Sequence, residues 1–224
     1  MRSRCRTDTP GLDGDATSYR GSLEYEGDRY GLRLEQLHVG LGFNPEIGFV
    51  RREDIDRSYA QARFSPRPGG PSPIRKYQFE ASADYFESTA GEVETREFQG
   101  QFGLDFNNGD EWRVEVTSSY EYLDEPFEIT DGAFIPVGGY HFTDVRTSWR
   151  LGPPRRFTGH VSAGHGQFDD GTRTQASFRG RVDVTSSLAV EPGLSVNWID
   201  LPVLPIATTW CRFASTIRSR PARS

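Results

Sequence analysis

The sequence predicts an all-β protein, an antiparallel up-and-down meander of about ten strands that forms part of an outer-membrane-type β-barrel. Apolar and polar residues alternate with a period of two, and the longest connections fall at one end of the strands. The mean hydropathy is -0.63, and no apolar run is long enough for a transmembrane helix. A barrel remains compatible with this value because its inward side chains are polar.

The clearest hairpin spans Phe98–Tyr122. Apolar side chains recur at every second position of both arms, and the turn Asn107–Asp110 contains residues that accept positive φ. Each arm is close to the roughly 9–11 residues that a tilted strand needs to cross a bilayer. The hairpin therefore predicts a sheet with one apolar and one polar face.

The other strands follow the same rule and divide the chain into three parts. Residues 1–17 are an irregular flank, residues 18–201 are the barrel-like domain, and residues 202–224 lose the alternation. The predicted strands are Tyr19–Glu26, one starting at Tyr30, Ile55–Phe64, Ile74–Phe86, the two arms of the hairpin, Tyr140–Leu151 with a bulge near Asp144, Phe157–Phe168, Arg173–Val184, and Leu188–Trp198.

Connection lengths and aromatic residues indicate an orientation. Long connections from Gly40 and from Leu123 to Gly139 lie at one end of the strands, and tight turns dominate the other end. Aromatic rings cluster near both ends, at Tyr25 and Trp149 on the short-turn side and at Tyr120 on the long-loop side. Two such bands are typical of the interfacial girdles of membrane barrels.

Composition excludes some partners and suggests a truncated chain. The net charge of -6 and the lack of a basic stripe argue against a nucleic-acid partner. The two cysteines, Cys5 and Cys211, lie in the flanks, which disfavours a disulfide framework. No signal peptide is visible, and the basic tail reads like a frameshifted segment, so we expect a fragment of a longer secreted protein.

Six motifs occur in order between about Thr7 and Pro202: GDRYGLRLEQLHVG, FNPEIGFVRR, ARFSPRP, YLDEPFEI, GQFDDGTRT and LSVNWIDLP. On these motifs the chain resembles the uncharacterised β-rich C-terminal domain of large bacterial proteins that carry an N-terminal family-9-like carbohydrate-binding module. The resemblance implies an outer-membrane barrel without an assigned reaction. Some members are labelled hydrolases, which we attribute to the neighbouring module. This chain lacks that module and the strands expected after Pro202.

Four of these motifs fall at the long-loop end, so we expect any ligand to approach from there. The candidate binding residues are Asn44, Glu46, Arg51, Arg52, Asp124, Glu125, Glu128, Asp169, Asp170, Arg173 and Asp200. The alternative is that the motifs pack the loops and seal the barrel mouth.

The sequence contains only weak motifs for metal binding or catalysis. The acidic loop around Asp124 and Asp131 could offer oxygen ligands to calcium but lacks the spacing of a calcium loop, and a solvated acidic loop is the alternative. The histidines show no zinc pattern, because His160 and His165 fall on opposite faces of a strand. We therefore predict no cofactor, no metal and no catalytic residue. Charged residues of the polar face would either brace a lumen through cross-strand pairs or form a path for an anionic or sugar substrate.

These observations lead to one function and two alternatives. We expect a segment of an outer-membrane barrel that contacts membrane lipid and serves binding, transport or anchoring linked to carbohydrate use, with no enzyme activity of its own. The alternatives are a soluble β-sandwich carbohydrate-binding module and a domain associated with glycan hydrolysis. The oligomeric state is not predicted.

Overall fold

The computed structural model describes residues 2–6, 16–44, 54–130, 133–152, 155, 157–168, 171–185, 188–201 and 204–219. Statements about side chains below concern those between residues 16 and 200. Fourteen strands and no helix occur in the described ranges. In particular, this part of the chain contains no helix that is long and apolar enough to span a membrane.

The strands are bounded as follows. They are β1 Arg2–Arg6, β2 Thr17–Glu26, β3 Tyr30–Val39, β4 Ile55–Phe64, β5 Ile74–Ser88, β6 Val93–Phe106, β7 Glu111–Leu123, β8 Phe127–Thr130, β9 Ala133–Ile135, β10 Gly138–Leu151, β11 Phe157–Phe168, β12 Gly171–Asp183, β13 Leu188–Leu201 and β14 Leu204–Ser219.

Twelve strands form one sheet in the order β1-β2-β3-β4-β5-β6-β7-β10-β11-β12-β13-β14, and β8 pairs with β9 as a separate hairpin. This order is an up-and-down meander, so the predicted all-β antiparallel meander is confirmed. That the sheet forms part of an outer-membrane barrel stays a prediction. The ten predicted strands correspond to β2–β7 and β10–β13. Among the described residues, β1 and β14 are the two ends of this order.

Three predictions about irregular segments were wrong. The N-terminal flank contains β1, which pairs with β2, and the tail contains β14, which pairs with β13. The long loop after β7 contains the β8–β9 hairpin. A free sheet edge offers unpaired N–H and C=O groups to any extended segment, so pairing there does not require alternation in the sequence. The predicted bulge is absent from the β10–β11 pairing, which runs without a shift from Asp144 to Leu151.

The chain divides into two compact units, which are described separately. The first comprises Met1–Phe64, Glu80–Gln99 and Ser118–His141, and the second comprises Ser65–Phe79, Gly100–Thr117 and Phe142–Ser224. The turn of the predicted central hairpin lies in the second unit, where Gly109 has a φ of 84° and Phe106 N–H donates to the Asp110 carbonyl at 2.9 Å. Glycine adopts this left-handed conformation without a steric penalty.

Strand register assigns two chemically distinct faces in the first unit. On the apolar face Leu23 lies opposite Leu34, and on the other face Leu37 of β3 lies opposite Arg57 of β4. Burial is inverted relative to a water-soluble sheet, since Leu23 is 60% exposed whereas Glu35 on the polar face is 8% exposed. We call these the apolar face and the polar face.

The second unit has the same inversion. Val161 lies opposite Phe178, which lies opposite Leu194, and the first and last of these are 48% and 44% exposed. On the polar face, by contrast, Asp105 is 5% exposed. In each unit the polar face therefore buries a carboxylate, whereas several apolar side chains of the other face are exposed.

Candidate functional site

The polar face of the first unit is organised around one buried carboxylate. The Glu35 side chain is 5% exposed and lies 2.5 Å from Arg20 Nη2 through its Oε2 atom. Arg57 Nη1 lies 3.5 Å from Oε1, and Arg33 Nη2 lies 3.5 Å from Oε2. A buried carboxylate is stable only when it is paired and hydrogen-bonded, and three guanidinium groups from β2, β3 and β4 meet that condition.

Arg57 extends this network to the next strand. Its Nε and Nη2 atoms donate to the two carboxylate oxygens of Asp84 at 2.7 and 2.6 Å, which is the bidentate geometry that arginine favours. The guanidinium also lies 5.2 Å from the ring centroid of Phe86 and 5.5 Å from that of Tyr59. Arg57 is therefore held by groups of three neighbouring strands, and its role here is to link β3, β4 and β5.

A polar cleft of about 260 Å³ lies near the β2–β3 turn of the first unit. Gln61 Nε2 donates to Glu80 Oε1 at 2.6 Å, and Arg63 Nη2 donates to the Gly27 carbonyl at 2.8 Å. Gln61, Glu80 and Arg63 of the cleft lining are thus each held by a hydrogen bond within the protein. The cleft resembles the bracing alternative of the sequence prediction more than an open binding site.

An apolar cluster closes the other end of this polar face. Val39, Phe43 and Ile55 are each less than one-tenth exposed, and Leu37 and Phe86 pack against them. Phe43 belongs to the connection after β3 and is the first residue of the FNPEIGFVRR motif. For this motif residue the structure supports the packing alternative, because its side chain is buried in the cluster.

The second unit has its own carboxylate centre on the polar face. Asp105 accepts hydrogen bonds from Arg113 Nη2 at 2.6 Å and from Gln78 Nε2 at 3.0 Å, and Arg75 lies 3.5 Å away. Arg113 also donates to the Leu104 carbonyl at 3.1 Å. Charged groups of neighbouring strands neutralise one another here as they do around Glu35.

A second buried carboxylate joins two tight turns of this unit. Asp110 accepts the backbone N–H of Gly152 at 2.8 Å and two hydrogen bonds from Arg155, each of 3.1 Å. The Gly152 N–H, opposed by burial and helped by the Arg155 guanidinium, lowers the pKa of the Asp110 carboxyl below its ordinary value of 3.8. We call these three residues the turn clasp.

Six of the predicted binding residues fall within the part of the chain that the structure describes. Asn44 is half-buried after β3, whereas Asp124, Glu125 and Glu128 are exposed at and after the end of β7. These four belong to the first unit. Glu46, Arg51, Arg52, Asp131, Asp169 and Asp170 lie outside the described residues.

The remaining two predicted residues lie on different faces in the second unit. Arg173 lies opposite Ile199, and Asp200 lies opposite Thr172, so their side chains point to opposite sides of the sheet. His160 and His165 also lie on opposite faces, as predicted, opposite Arg179 and Thr174 respectively. Within the described ranges there is no group of three or more potential metal-ligating side chains.

Comparison of the chain with family models, with curated proteins and with solved structures finds no match. The class of protein is therefore argued from the sheet itself. Its defining property is the combination of an apolar face with many exposed side chains and an ion-paired polar face whose carboxylates Glu35 and Asp105 are buried.

Proposed function

We propose that this chain is a membrane-crossing antiparallel sheet of the outer-membrane type, with its apolar face against lipid. The observation that carries the proposal is the inverted burial of the two faces. Leu23, Leu32 and Leu34 are 60%, 40% and 40% exposed on neighbouring strands. Transfer of a leucine side chain from water to an apolar environment is favourable by about 1.5–3 kcal/mol. This face is therefore more stable against hydrocarbon than against water.

The position of aromatic rings supports the same proposal. On the apolar face of the first unit, Tyr25 and Tyr30 are 60% and 56% exposed at the β2–β3 turn, and Tyr30 stacks on Phe64 at 5.2 Å. At the other end of the same face Tyr19 stacks on His38 at 4.8 Å. Leucine and alanine lie between these ends, and Gln36 and Ser58 form the row next to Tyr19 and His38. An apolar band with aromatic rings at both ends is the arrangement that a bilayer with two polar interfaces favours.

The second unit repeats the arrangement. Phe106 stacks on Trp149 at 5.4 Å near the short turns, and Trp198 is 45% exposed toward the opposite end of β13. Val161, Ala163 and Leu194 occupy the middle of this face. Strands of 12 to 14 residues, such as β11, β12 and β13, exceed the roughly 9–11 residues of a tilted crossing.

The role we propose is binding, transport or anchoring linked to carbohydrate, in the outer membrane. The link to carbohydrate depends on the resemblance to domains that accompany a family-9-like carbohydrate-binding module. The polar face then becomes the surface that a ligand meets, because the apolar face is occupied by lipid.

The proposal is tested by expressing the chain with and without detergent. We expect it to remain insoluble in buffer, to refold from urea into detergent micelles or lipid vesicles, and to run at a different apparent mass on gels before and after boiling. A monodisperse, folded monomer in detergent-free buffer would instead favour a soluble β-sandwich module and would overturn the proposal.

A further inference from the structure

Four serines form a continuous row across the polar face of the second unit. Ser148 of β10 lies opposite Ser162 of β11, which lies opposite Ser177 of β12, which lies opposite Ser195 of β13. The hydroxyls of Ser162 and Ser177 are 2.8 Å apart. Adjacent strands are about 4.8 Å apart, so the row presents hydroxyl groups over roughly 14 Å.

A row with two arginines runs beside the serine row. Arg150 of β10 lies opposite His160, which lies opposite Arg179 of β12. The same row ends at Gly193 of β13, and because glycine has no side chain, β13 places none beside Arg179. The Arg150 side chain is 63% exposed. The two rows are two residues apart along the strands, a separation of about 7 Å.

The His160 ring carries an unusual polar atom. Its Nδ1 atom is buried and has no hydrogen-bond partner among the described residues. Buried polar groups are nearly always hydrogen-bonded, so an unpaired one in a polar row indicates a partner other than the described side chains. A ligand oxygen between the two arginines would supply it once the imidazole ring rotates and exposes this atom.

Three carboxylates of this face are already engaged with other arginines. Asp183 and Glu191 both bind Arg181, each at 3.1 Å. Glu111 of β7 lies 3.4 Å from Arg150. Asp144 on β10 and Glu115 on β7 are the other described carboxylates of these strands on this face. None of them forms an ion pair with Arg179 among the described side chains, so this guanidinium keeps its donors for a ligand.

We propose that the polar face of β10–β13 binds an acidic oligosaccharide that lies across the strands. Arg179, with Arg150 and His160 beside it, would hold the ligand's carboxylate or sulfate group, which guanidinium binds in a bidentate fashion. The serine row would exchange hydrogen bonds with sugar hydroxyls, because each serine hydroxyl both donates and accepts. This inference rests on the proposed function, since it names the ligand of the polar face that the proposal assigns to ligand contact.

The test uses the full chain refolded in detergent micelles and titrated calorimetrically with three probes. They are tetragalacturonate, a sulfated tetrasaccharide of similar length, and neutral maltotetraose. We expect both acidic probes to bind at least tenfold more tightly than maltotetraose. The two acidic arms distinguish a carboxylate from a sulfate ligand, and inorganic sulfate alone reports the contribution of the anion without the sugar.

Two variants and one matched control locate the site. We expect Arg179→Gln to weaken the acidic probes about tenfold and His160→Gln to weaken them about threefold, with little effect on maltotetraose. Arg29→Gln removes the same charge from the exposed β2–β3 turn and should change every affinity by less than twofold. Folding of each variant is checked by its mass shift on unboiled gels.

Equal affinity for acidic and neutral probes, or an Arg179→Gln variant that binds like the parent, would overturn the inference. Failure of the proposed function is seen separately. In that case the chain is a folded, soluble monomer without detergent, whatever it binds. A chain that inserts into micelles but ignores the acidic probes therefore contradicts only the ligand assignment.

Discussion

Removing the Asp110 carboxylate should destabilise the second unit by about 1–4 kcal/mol, because Asp110→Ala breaks the whole turn clasp. The buried N–H of Gly152 loses its acceptor, which costs about 1–3 kcal/mol. The Arg155 side chain is 43% exposed, so its ion pair with Asp110 adds at most about 1 kcal/mol. Asp110→Asn keeps one acceptor oxygen and should lose only about half as much.

The contribution of Asp110 to stability should also depend on pH, in a direction set by its pKa. The pKa of Asp110 is lowered in the folded protein, so its contribution is complete above the ordinary value of 3.8. The contribution is lost as the pH falls below 3.8 through the folded-state pKa. The difference in stability between the parent and Asp110→Asn should therefore be constant near neutral pH and shrink in acid.

The assay is urea unfolding in micelles, followed by tryptophan fluorescence between pH 7 and pH 3. Arg155→Gln serves as the control and should cost under about 1 kcal/mol, since it leaves the Gly152 hydrogen bond intact. Gly152→Ala tests the clasp from the other side, because an added Cβ would lie 2.5 Å from the Gly109 carbonyl carbon. The reasoning fails if Asp110→Ala and Arg155→Gln cost the same.

Three further substitutions address the faces of the first unit by urea unfolding in micelles, followed by far-ultraviolet circular dichroism because all four tryptophans lie in the second unit. Phe43→Ala leaves a cavity beside Val39 and Ile55 and should cost about 3 kcal/mol, and a cost under about 1 kcal/mol would mean that the cluster is not a core. Glu35→Gln leaves three guanidinium groups without their shared carboxylate and should cost about 2 kcal/mol, whereas an unchanged stability would contradict the bracing role. Leu34→Arg should cost about 2–4 kcal/mol in a bilayer, whereas a surface position in water would change by at most about 0.5 kcal/mol.

The fold could be predicted from sequence because alternation is a local property. Each of the ten predicted strands repeats apolar side chains at every second residue, and β-sheet geometry turns that repeat into a face. Strands such as β1 and β14 lack the repeat. They form because a neighbouring edge offers hydrogen bonds, which no local pattern records.

The polar face shows the limit of the same reasoning. The sequence places Arg179 and Glu35 on that face but does not show which partners they meet. Partners depend on register, and a shift of one residue would exchange the two faces. The serine row and the buried Nδ1 atom of His160 are visible only after four strands are aligned.

Two of the predicted rim residues, Arg173 and Asp200, lie on different faces for a related reason. Motif order along the chain puts Asn44, Asp124 and Asp200 at connections on the same end of the strands, the long-loop end. The order of the connections determines at which end of the strands a residue lies. It does not determine the distance between two loops or the face on which a side chain lies. Arg173 and Asp200, close in register, still point to opposite sides of the sheet.

The claim that the apolar face meets lipid is tested most directly by spin labels at two adjacent positions of β3. Leu34 on the apolar face is 40% exposed, and the Arg33 side chain on the polar face is 44% exposed, so the two sites are matched in steric access. Both native cysteines are first replaced by serine, and each labelled chain is reconstituted into vesicles. We predict that the label at position 34 is relaxed strongly by oxygen and weakly by a water-soluble nickel chelate, and that the label at position 33 shows the reverse. Strong relaxation by nickel at position 34 would contradict the account.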